Sequence, residues 1–75
     1  MALSKSEANK LKKLGKRIRD LRLEKKMTLE DVESCGGPTW RHLIKIEHGK
    51  NHNVTTLMKV ADALGVHPGK LLDDE

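Results

Sequence analysis

The chain has no phenylalanine and no tyrosine, one tryptophan (Trp40), one cysteine (Cys35) and two prolines in 75 residues. Without Phe and Tyr a core has to be built from Leu, Ile, Val, Ala and Met, which favours packed helices over strands. A single thiol excludes an internal disulfide, so a fold this small must be held by helix packing or by association, in a reducing compartment. Also missing are an apolar run of membrane-spanning length and the apolar stretch of a signal peptide, so no membrane partner and a cytoplasmic location are expected. The length allows one domain and leaves little room for a large catalytic cleft.

Charge, by contrast, is plentiful. Charged residues make up 35% of the chain against 36% apolar, with a net charge of +4. From Met1 to Met27 ten Lys or Arg face three acids, a balance of +7, and the remainder carries five against eight, a balance of −3. The first third is therefore a basic rod, suited either to a polyanion such as nucleic acid or simply to solvent.

Apolar spacing divides the chain into five helices. Leu11, Leu14, Ile18 and Leu21 recur at three-and-four spacing along "SEANKLKKLGKRIRDLRLEKK", with Ser4 or Ser6 as the cap, and Gly15 allows a neighbour to approach closely. Thr28 and Asp31 form a capping-box pattern before a second helix of about two turns, which the Gly36 and Gly37 pair stops. Thr39 can cap a third helix over "WRHLIKIEH", closed by Gly49. Val54, Leu57, Val60, Ala61 and Leu64 mark a fourth helix that ends at Gly65, and Pro68 opens a short fifth whose acidic tip is expected to fray.

The second and third helices, joined by a short glycine-containing turn, have the form of a helix-turn-helix, whose second helix enters the major groove. At about 100° per residue, Leu43 and Ile46 lie on one side of the third helix and Arg41, Lys45 and His48 on the other. Ile44 is exposed by the same geometry, and Trp40 falls at the boundary between the two sides. His42, His48, His52 and Cys35 match no metal-ligand spacing, and Cys35 reads as a small hydrophobe at a helix end. No nucleophile, base and orienter are spaced for catalysis. No enzyme activity, metal or cofactor is expected.

The stretch "LGKRIRDLRLEKKMTLEDVESCGGPTWRHLIKIEHGK" followed by "TLMKVADALGV" and Leu71-Leu72 resembles the phage-repressor and Cro type of regulator, the Xre family. The resemblance implies an all-α, compact five-helix bundle of the lambda-repressor-like DNA-binding type with an extended basic first helix. Residues 14–75 would form the helix-turn-helix domain, and residues 1–13 a basic extension continuous with the first helix. It further implies that Arg22 pairs with Glu47. Trp40, Arg41, Ile44 and Lys45 would read bases, and Thr28, Thr39, His48, Lys50 and Asn51 would hold phosphates. Four positions depart from the family pattern: Leu29 stands where a DNA-touching Gln is common, Glu33 where a small Ala is usual, Pro38 where Ile or Val plugs the turn, and the "KNHN" loop is a residue short. A buried unpaired carboxylate is costly, so Glu33 is expected to reach solvent or a basic partner.

The expected function is sequence-specific recognition of double-stranded DNA by a transcriptional regulator, a repressor acting as a homodimer on a palindromic operator. The dimer surface is expected in the last two helices or the N-terminal extension. The alternative is a protein-interaction adaptor or toxin-antitoxin partner that uses the basic helix and the Trp40 and Ile44 surface. RNA binding is weaker, because single-strand readers stack bases on several aromatics.

Overall fold

The computed structural model describes residues 4–72. The expected fraying of the acidic tip therefore lies outside the described residues. Five helices follow in order: α1 (Lys5–Glu24), α2 (Leu29–Ser34), α3 (Trp40–Glu47), α4 (Val54–Leu64) and α5 (Pro68–Leu72), with no strand among the described residues.

Each of the first four starts where a hydroxyl or amide side chain can satisfy an N-terminal amide. Ser4 rather than Ser6 caps α1, and its capping box with Glu7 is closed in both directions at 3.0 and 3.1 Å. The Ser4 N–H holds the Glu7 carboxyl below its ordinary value of 4.5. Thr28 and Asp31 close the same box on α2, while Thr39 and Asn53 cap α3 and α4.

The same four helices also end alike. In each, an amide bonds back five residues: Met27 to Arg22, Gly37 to Val32, Lys50 to Lys45 and Val66 to Ala61, all at 3.0 Å. This closure needs a left-handed residue just before the donor. Three of those positions are glycine, and the fourth is Lys26, at φ 58°. The lysine carries the strain of a side chain in that region to make the turn from α1 into α2.

Ile18, Val32, Leu43, Val60 and Ala61 are wholly inaccessible, and Ile46, Leu64 and Leu71 nearly so, which makes the core aliphatic. Cys35 lies at a helix end as expected, as the C-cap of α2, but it is exposed rather than packed as a hydrophobe.

α1 crosses the C-terminal end of α3. A Cβ on Gly15 would stand 2.6 Å from the Glu47 carbonyl oxygen, and one on Gly49 would stand 2.7 Å from Lys12 Cγ. Only hydrogen side chains allow this approach. The long basic helix is thereby fixed against the end of α3, and one continuous helix carries both the turns before Leu14 and those that enter the core.

Candidate nucleic-acid interface

The Arg22 guanidinium locks α3 to α1. Its Nε donates to Glu47 Oε2 at 2.8 Å, its Nη2 to Glu47 Oε1 at 3.2 Å, and its Nη1 to the Met27 carbonyl at 2.9 Å. Both side chains are almost fully withdrawn from water. A buried pair is tolerable only when its remaining polar atoms are satisfied, and among the described residues no buried side-chain N or O lacks a partner. Three anchor points result: the ion pair at the end of α3, and Leu43 and Ile46 in the core.

Three residues, Gly36, Gly37 and Pro38, separate the C-cap of α2 from the N-cap of α3. Pro38, where the family pattern has a larger apolar residue, is buried and plugs the turn. A Cβ on Gly37 would lie 2.8 Å from the Val32 carbonyl oxygen and 3.2 Å from Ala63 Cβ, so the turn sits tightly on α2 and α4.

Glu33, exposed as expected, finds a partner that its residue type alone did not reveal. Its Oε1 accepts the Trp40 N–H at 2.9 Å, while Thr39 Oγ1 accepts from the His42 amide at 3.3 Å. Two amides at the start of α3 are thus occupied by the protein itself, one by a carboxylate that suits the positive pole of the helix. The contact ties the last turn of α2 to the first residue of α3 and sets the angle between them. It also places a negative charge where a phosphate could otherwise sit.

Outward from these anchors, Arg41, His42 and Lys45 are exposed on α3, His48 is exposed at its C-cap, and Lys50 and Asn51 are exposed in the loop that follows. Trp40 keeps 37% of its surface accessible, a boundary position. The Arg41 guanidinium carbon lies 5.2 Å from the centre of the Trp40 ring, within cation-π range. Ile44 corrects the sequence expectation: it is half-buried rather than exposed. Thr28 and Thr39 are exposed, and although both hydroxyl oxygens accept a capping N–H, each can still donate its hydrogen. Leu29 is half-buried against the core.

Residue type, spacing and wheel angle made the basic face legible. Neither the Glu33 clasp nor the stacking of Arg41 on Trp40 could be read that way, since one spans a turn and the other depends on rotamers. Among the described residues no group of His, Cys, Asp or Glu is arranged to hold a metal ion, and no helix is long and apolar enough to cross a membrane.

Two short helices set across a three-residue turn, the second anchored on one side and basic on the other, define a DNA-binding domain of the helix-turn-helix class. A family model described as the Cro/C1-type HTH DNA-binding domain matches residues 17–75, and the chain belongs to that family. It is 41% identical over 56 residues to the HTH-type transcriptional regulator y4dJ of Sinorhizobium fredii, a match that covers 73% of each chain. No solved structure gives a significant match.

Proposed function

We propose that this DNA-binding domain is a cytoplasmic transcriptional repressor that recognises a palindromic duplex operator as a homodimer. The observation that carries the reading is the exposed basic side of a helix whose opposite side is fixed at three points. A helix so held presents Arg41 and Lys45 at a defined depth and angle, which base readout requires. Arg41 grips a guanine edge, and Lys45 contacts a base one turn further on. Trp40 acts as a platform that holds the Arg41 side chain in an extended posture, and the accessible part of Ile44 meets a thymine methyl. Thr28, Thr39, His48, Lys50 and Asn51 hold phosphates and fix the register. Glu33 weakens phosphate binding at the head of α3, so most of the backbone affinity falls to Thr28 and the loop around Lys50. The turns of α1 before Leu14 form a basic extension continuous with the first helix of the 14–75 domain.

One short recognition helix reads few base pairs, and a two-fold dimer on an inverted repeat supplies the missing specificity. The test is a titration of duplex and single-stranded oligonucleotides across a salt series. Duplex preference with a linear fall of log affinity against log salt is expected, with a slope set by the phosphates engaged. Equal affinity for single strands, or salt-independent binding to a protein partner with none to duplex, would replace this reading with the RNA-binding or the adaptor one.

A further inference from the structure

The turns of α1 that come before residue 17, where the family match begins, carry a row of cations for which the contacts of α3 give no role. Lys5, Lys12 and Lys16 fall within about 40° of one another around the helix and span about 16 Å of its length. All three are exposed. Spacing alone makes this an ordinary solvated side of a helix, and what singles it out is where the helix is held.

The backbone of α1 at Lys12 lies directly on Gly49: a Cβ there would stand 2.7 Å from Lys12 Cγ, 3.2 Å from its Cα and 3.3 Å from its N. Gly49 follows His48 at the end of α3 and precedes the exposed Lys50 and Asn51. The stem of Lys12 is thus pinned on this loop, and its exposed charged head leaves from beside Lys50. The exposed side of α3, the loop and the row on α1 therefore make one continuous positive band. No acid neutralises the α1 part of it. Among the described residues the only ion pair is Arg22 with Glu47, Glu7 is engaged by the Ser4 cap, and Asp20, one turn on from Lys16, makes no ion pair with it. Lys10, Lys13 and Arg17 face elsewhere: they line a groove of about 370 Å³ between α1 and α5, where Arg17 Nη1 donates to the Leu71 carbonyl at 3.2 Å.

Uncompensated cations held at fixed spacing suit a row of phosphates. One strand of duplex DNA offers a phosphate every 3.4 Å of its axis, so a row of about 16 Å faces about five of them. We propose that Lys5, Lys12 and Lys16 form a second phosphate-binding ledge, which engages the backbone of duplex DNA beyond the stretch that α3 reads. This rests on the duplex binding of the proposed function and adds the part of the duplex that the extension of α1 takes. Because phosphates carry no base information, the ledge raises affinity for every sequence alike.

The experiment is a fluorescence-anisotropy titration of mixed-sequence duplexes about three helical turns long with the full chain, across a salt series. Lys5→Gln/Lys12→Gln/Lys16→Gln keeps the helix, since glutamine and lysine have similar propensities and glutamine retains the stem that lies on Gly49. Each engaged lysine contributes about 0.9 to the slope of log affinity against log salt. The variant should therefore lose about 2.7 of that slope, and its deficit against the wild type should shrink by about fortyfold between about 50 and 200 mM salt. Lys10→Gln/Lys13→Gln/Lys70→Gln removes the same charge from the α5 side, and its slope should stay within about 0.5 of the wild type. Thermal unfolding by circular dichroism checks that both variants fold. An unchanged slope in the first variant would overturn the proposal, because the row then faces solvent; equal losses in the two variants would overturn it, because only net charge then matters. A loss on single-stranded RNA that is absent on duplex DNA would also overturn it, by assigning the row to another polyanion. Base preference separates the ledge from the reading by α3. A wild type that binds all duplexes equally, with the predicted slope loss in the first variant, refutes the reading and supports the ledge, whereas a wild type with no affinity for any duplex refutes both.

Discussion

Replacing Gly15 by alanine sets two effects of known sign against each other. In an exposed helix interior the change stabilises by roughly 0.8–1 kcal/mol through helix propensity. Here the new Cβ would stand 2.6 Å from the Glu47 carbonyl oxygen, whereas an unstrained C···O contact needs about 3.3 Å. The obstacle is backbone, which cannot rotate aside, and the Ile46 carbonyl oxygen stands nearer still, so α1 and α3 have to part by at least about 0.7 Å. Overpacking of this kind costs roughly 1–3 kcal/mol. The same retreat stretches the Arg22–Glu47 bonds from 2.8 and 3.2 Å toward the limit of hydrogen bonding, and a charged hydrogen bond is worth roughly 1.5–3 kcal/mol. The clash wins, for a net loss of roughly 2–3 kcal/mol after the propensity gain. For a domain this small that lowers the melting temperature by roughly 10–20 °C. Urea and thermal unfolding followed by circular dichroism measure it, with the exposed Lys16→Ala on the same helix expected to stay within about 0.5 kcal/mol. A Gly15→Ala protein as stable as the wild type, or more so, would show that α1 and α3 are not packed as described.

Further outcomes follow from single contacts. Arg22→Ala and Glu47→Ala should each cost roughly 3–5 kcal/mol, and the double variant less than their sum, because each single change strands a buried charge; strict additivity in urea denaturation would refute the pairing. Lys26→Gly should raise stability by roughly 0.5–1 kcal/mol, since it relieves a left-handed lysine at φ 58°; a loss would mean that the turn needs the side chain. Glu33→Gln should tighten duplex binding at low salt and, through a weaker clasp on the Trp40 amide, slightly lower stability; unchanged affinity in a fluorescence-anisotropy titration would show that its charge lies too far from the phosphates to matter.

The elements were legible because they follow from local rules. Thr28 with Asp31, Thr39 and the glycines at 36, 49 and 65 all mark helix ends by side-chain chemistry or backbone freedom, and each lies at the boundary it announces. Lys26 does the work of a glycine, and residue identity gave no sign of it. The inward side of α3 was legible because Leu43 and Ile46 obey helical periodicity. Ile44 was not, since a wheel angle gives a direction on one helix and carries no information about how closely the rest of the fold approaches it. Glu33 on the Trp40 amide and Arg17 on the Leu71 carbonyl depend on how distant segments meet, one seven residues away and the other 54. Local pattern therefore located the basic face of α3, while the electrostatics at its head and the groove behind α1 required coordinates.

The most direct test of the account is selection of binding sites from a pool of random duplex DNA by the wild type and by Arg41→Ala. The account predicts an inverted repeat whose half-sites lie about one helical turn apart, each containing a guanine whose preference Arg41→Ala relaxes, with a loss of roughly 1–3 kcal/mol at the preferred site. A pool that yields no enriched duplex motif, or one whose base preferences are identical for both proteins, would contradict the claim that the exposed side of α3 reads sequence.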